Sequence, residues 1–107
     1  MNLPHPIQTY FDADRRCDGD ALVDAFVAEA IVMDEGRSHR GRQAIEGWWR
    51  DGKARYEHVV EPLEAEGHDE VRNVRARVTG QFPGSPAILT FAFRLRGDRI
   101  THLEIGA

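Results

Sequence analysis

A chain of 107 residues is long enough for one domain and too short for two, and 41% apolar with 30% charged residues is the balance of an ordinary globular protein. That balance is not the apolar depletion of a disordered chain, no apolar run nears the roughly 18 residues of a membrane-spanning helix, and a formal net charge of -4 argues against nucleic acid as a main partner. The start MNLPHPIQTY lacks the basic and apolar regions of a signal peptide and the single Cys17 allows no internal disulfide, so a cytoplasmic protein is expected.

Ile7, Tyr10, Phe11 and Asp14 recur at helical spacing and predict a first helix. The string CDGD at 17 to 20 supplies a stop and a new N-cap. Leu22, Val23, Phe26, Val27 and Ala30 then form the stripe of a second helix. AIVMD and GRSHR are two short strands of a hairpin turning on Glu35 and Gly36. Helical spacing resumes in GRQAIEGWWRDG, with Ala44, Ile45, Trp48 and Trp49. Gly47 weakens this third helix and would let a neighbour pack closely. From Val59 onward the period becomes two: HVVEPLEAEG, EVRNVRARVTG, PAILTFAFRLRG and RITHLEIGA, separated by turn residues. Pro62 places the first of these on a sheet edge or at a bulge.

Helices first and an antiparallel meander last make an α+β fold of a single domain over 1–107. Val74, Ala76 and Val78, then Leu89, Phe91, Phe93 and Leu95, give the sheet one apolar face. Three N-terminal helices on a curved, mainly antiparallel sheet would close a cone, lined by Phe26, Trp48, Trp49, Phe91, Phe93 and Leu103, that leaves room for a ligand. Trp48 and Trp49 lie about 100° apart on their helix, so one is expected to face the cavity and the other to pack elsewhere. Arginines 72, 75, 77, 94, 96 and 99 form a solvated sheet face balanced by Glu57, Glu61, Glu64 and Glu66.

Asp34 ends an apolar run, either as the polar tip of the hairpin or as a desolvated carboxylate able to act as a base. Tyr10 is either a core aromatic with its hydroxyl at the rim or a donor to a substrate carbonyl. His102 has two placements. Alternation with Leu103 and Ile105 points it outward, whereas a two-residue Gly97–Asp98 turn with regular pairing sets it beside Phe93. The remaining histidines show no metal-ligand spacing, and no cofactor motif is present, so neither metal nor cofactor is expected.

The strings GDALVDAFVAEAIVMDEG, HRGRQAIEGWW and FRLRGDRITHLEI span nearly the whole chain. In their order and spacing the chain resembles the nuclear transport factor 2-like superfamily, in its SnoaL-like and ketosteroid-isomerase-like branch. The resemblance implies a cone-shaped fold, with Tyr10 and Asp34, 24 positions apart, matching the family's tyrosine and catalytic aspartate. It aligns Trp49 with the aromatic that supports the tyrosine, its N–H donating to the Tyr10 oxygen. It also puts Phe91 where a second, protonated aspartate would donate to the developing enolate, a role phenylalanine cannot fill. The implied activity is cofactor-independent isomerisation, cyclisation or elimination on a small hydrophobic carbonyl compound, with Asp34 as base. A homodimer through the outer sheet face is implied as well. The alternative is a non-catalytic ligand-binding or interaction domain of the same fold.

Overall fold

A computed structural model describes residues 1–107. Helix α1 (His5–Arg16) ends on Cys17, whose left-handed φ of 55° lets the chain turn into Asp18, the N-cap of α2 (Gly19–Asp24), which accepts from the Ala21 N–H at 3.1 Å. Strand β1 (Phe26–Asp34) and β2 (Arg37–Arg40) form a hairpin. Glu35 and Gly36 both take positive φ, as a two-residue turn matched to strand twist requires. Helix α3 (Arg42–Tyr56) follows, and then β3 (Val59–His68), β4 (Val71–Thr79), β5 (Ala87–Arg96) and β6 (Arg99–Gly106). The six strands lie in the order β2-β1-β6-β5-β4-β3; β1 and β6 are parallel and every other pair is antiparallel.

Two expectations are corrected here. Of the three helices only α1 and α3 are long, and because α3 follows the first hairpin, where its spacing predicts it, the three do not form one N-terminal set. The six-residue α2 stops at Asp24, so Phe26, Val27 and Ala30 belong to β1. Their spacing fits a helix, but long-range partners capture the backbone at this point. The Ala25 carbonyl accepts from the Ile100 N–H at 2.8 Å, and the Arg42 guanidinium donates to the Phe26 carbonyl at 2.6 and 3.0 Å. Tertiary pairing overrides local propensity.

Register shifts within β1/β6, at Pro62 to Glu64 in β3/β4, and at Arg94 to Leu95 in β5/β6 bend the sheet around the helices. Pro62 therefore stands both on the edge strand and at a bulge. The core fills the concave side: Ile7, Tyr10 and Phe11 of α1 meet Phe26, Phe91, Phe93 and Leu103 of the sheet. Tyr10 packs edge-on against Phe11 at 5.2 Å and Phe93 at 5.6 Å between ring centroids. On β3 and β4, Arg75 pairs with Glu64 and Arg77 with Glu61 across the strands, which balances part of the arginine face. Gly47 has no neighbour where a side chain would stand, so it serves no close contact.

Candidate functional site

Between α3, the end of the sheet and the Phe82–Pro83 turn lies a cavity of about 460 Å³. Ala30 and Val32 of β1 point toward the core, so alternation brings Asp34 inward where the strand leaves the packed interior. Its Oδ2 accepts from Trp48 Nε1 at 3.0 Å, while Oδ1 makes no side-chain hydrogen bond. Tyr10, 3% exposed, reaches the same cavity from α1. Burial raises its phenol well above the usual tyrosine range, and the negative charges of Asp14 and Asp34 add to this, so the hydroxyl stays protonated and able to donate. Leu89 and Phe91 of β5 form the apolar floor, and Tyr56 and Phe82, edge-on at 6.0 Å, close the far end.

Both tryptophans line this cavity, against the expectation that they divide. The cavity runs along α3 and is wide enough to take side chains from two adjacent helical directions. Their polar ends do diverge. Trp48 donates to Asp34, whereas Trp49 Nε1 donates to Asp14 Oδ1 at 2.8 Å and not to Tyr10. Asp14, one helical turn after Tyr10, is 2% exposed. The same Oδ1 lies 3.2 Å from Lys53 Nζ and 3.5 Å from His58 Nε2. Burial alone would raise the Asp14 carboxyl, but the donors His58 and Trp49 and the charge of Lys53 outweigh it and hold the group below the usual carboxylate range.

Other candidates stand elsewhere. Phe26, Phe93 and Leu103 are buried in the core behind the cavity and do not line it. His102 faces outward. The turn is indeed Gly97 and Asp98, with Arg96 opposite Arg99, but Thr101 is an extra residue in the ladder, so Leu95 pairs with Ile100 and Arg94 with His102. That bulge carries His102 off the Phe93 position and onto the outer face, where Nδ1 lies 3.0 Å from Thr101 Oγ1. Asp14 and His58 were not anticipated as a pair. The readable sign was Asp14, a carboxylate on an otherwise apolar helical stripe; His58, 44 positions away in a turn, had none. No three His, Cys, Asp or Glu side chains gather as a metal site would need.

No family model and no curated protein matches the sequence. Among solved structures, the candidate polyketide cyclase SMa1630 from Sinorhizobium meliloti is 46% identical over 96% of this chain and 94% of its own, with a TM-score of 0.94. The chain belongs to the SnoaL-like branch of the nuclear transport factor 2-like superfamily. A ketosteroid isomerase-like protein from Catenulispora acidiphila, solved with trimethylamine, superposes with a TM-score of 0.86 at 22% identity, over 99% of this chain and 87% of that one. A nuclear transport factor 2-like protein of unknown function from Cytophaga hutchinsonii shares 8% identity, covering 94% and 84% of the two chains, at a TM-score of 0.79. At such identities these two speak for the SnoaL-like fold alone. Phe91 sits in the cavity wall, 6.4 Å between ring centroids from Tyr10.

Proposed function

We propose that this SnoaL-like protein takes a small hydrophobic carbonyl compound into the cavity and abstracts a proton from the carbon next to the carbonyl, with Asp34 as the base and Tyr10 as a donor to the oxygen. The observation that carries this reading is the arrival of Asp34 from β1 and Tyr10 from α1 at one aromatic-walled cavity, with Trp48 engaging a single carboxylate oxygen. A fixed carboxylate and a protonated phenol are what enolisation needs, and the chemistry serves isomerisation, cyclisation or elimination without a cofactor. Deuterium exchange into an enolisable bicyclic ketone such as 2-tetralone, followed by NMR, tests it. Asp34→Asn is expected to slow exchange about 10²-fold or more; an unchanged rate removes Asp34 as base.

A second reading is a binding site without chemistry. The Catenulispora acidiphila neighbour was solved with trimethylamine, and here Asp34 and Glu35 stand among Trp48, Trp49 and Tyr56, a surrounding suited to an alkylammonium ion, while Asp51 is paired with Arg55. Saturable trimethylammonium binding with no ketone exchange would favour it.

For the outer sheet face we propose a second copy of the chain as the occupant. Met33, Val71 and Ile88 are exposed there beside Ile31. Sedimentation should report a dimer that Met33→Glu converts to monomer; a monomeric wild type ends this assignment.

A further inference from the structure

We infer that His58 and Asp14 form a second acid–base pair of the cavity, in which the imidazole gives the ligand's oxygen the proton that Phe91 cannot. This deepens the reading of Asp34 as base and rests on it. Helix α3 ends at Tyr56, Glu57 turns the chain with a left-handed φ of 48°, and His58 stands at the entry to β3 with its ring on the cavity wall. The residue is held twice. Lys53 Nζ donates to its backbone carbonyl at 2.8 Å, and its Nε2 faces the buried Asp14 carboxylate at 3.5 Å. Nδ1 makes no hydrogen bond to the protein, and the side chain keeps 19% of its exposure.

A purely structural role would be to satisfy Asp14. That carboxylate also has the Trp49 N–H at 2.8 Å and the Lys53 ammonium at 3.2 Å, so the imidazole is one of three partners on Oδ1 and not its sole support. A buried anion on one ring nitrogen, on a ring that lines a cavity and whose other nitrogen has no protein partner, is the arrangement that orients an acid–base histidine. The charged and titratable groups around it are Asp14 from α1 and Lys53 from α3, with Asp51 and Arg55 of α3, Tyr10, Asp34 and Glu35 on the same cavity.

In the step, Asp34 takes the proton from carbon and the C–H electron pair becomes the enol double bond. The carbonyl π pair moves onto oxygen, which takes a proton from Nδ1 of the imidazolium. The ring is left neutral with its Nε2–H on Asp14. Return of the carbon proton from Asp34 and of the enol proton to Nδ1 restores both groups, so no external acid is consumed. His58 is thus the catalytic residue of the pair and Asp14 its positioning residue.

The test compares wild type, Asp34→Asn, His58→Gln and Asp14→Asn in 2-tetralone deuterium exchange across pH, and in binding of 2-naphthol as a planar oxygen probe. His58→Gln is expected to lower kcat about 10²-fold with little change in KM and to remove the alkaline fall in kcat. Asp14→Asn is expected to displace that fall, which a merely structural loss would not do. If Asp34→Asn slows exchange while His58→Gln keeps the wild-type rate and pH profile, the pair is overturned and the Asp34 reading stands. If the wild type exchanges nothing, the Asp34 reading fails, and 2-naphthol decides the oxygen-donor role of His58. Weaker binding by about tenfold in His58→Gln supports that role; equal affinity, or no binding by the wild type, overturns it.

Discussion

Asp14→Ala will destabilise the protein by about 3 kcal/mol, the lower end of what removing one partner from a buried ion pair costs. Truncation takes the acceptor from Trp49 Nε1 and the counter-charge from Lys53 at once, while leaving both donors in place. The Lys53 side chain keeps 17% exposure and its bond to the His58 carbonyl, so it can recover some hydration, which is why the cost falls at that lower end. For a domain of this length the melting temperature should drop on the order of 15 °C. The pH dependence has a definite sign. Asp14 titrates lower in the folded state than in the unfolded chain, so its contribution is fully present above the unfolded carboxylate value of about 4 and is lost as pH falls through the folded value. The gap between wild type and Asp14→Ala in urea melts should therefore be widest near neutrality and close in acid. A gap independent of pH would mean that packing, not charge, carries the loss.

The same cluster shows what the sequence could and could not convey. Alternation in β4 and β5, the Glu35–Gly36 turn and the bulge at Pro62 are local signals, and each has its structural counterpart. The stretch from Phe26 to Ala30 misled because its apolar residues fit both periods, and the choice was made by Arg42 and Ile100, distant in sequence. His102 turned on one extra residue, Thr101, and a single-residue shift exchanges the faces of a strand. The convergence of Asp34 and Tyr10 on one cavity was legible through spacing and resemblance together. The indole assignments were not, because a neighbouring pair on a helix can reach two carboxylates, Asp34 and Asp14, that stand 20 positions apart in the chain and are brought together only by folding.

Phe93→Ala is the larger loss, about 4 kcal/mol from the removed burial and the cavity left behind. Phe93 is 1% exposed and central to the aromatic cluster, edge-on to Tyr10 and to Phe11 at 5.6 and 5.8 Å and stacked on Phe91 at 6.4 Å. Small domains hold only about 5–15 kcal/mol in total, so this variant should be marginal at 25 °C and exchange its core amides through global opening. Phe93→Leu keeps most of the volume and should cost well under half as much. The comparison separates core from site, because Phe93 supports the Tyr10 ring without lining the cavity. Phe93→Leu should leave 2-naphthol affinity nearly intact while lowering the urea midpoint, whereas Phe91→Leu, whose ring forms the cavity wall, should weaken binding beyond its effect on stability. Equal losses of affinity in the two variants would place Phe93 at the ligand after all and would require the cavity to extend through the β5 aromatics toward α1.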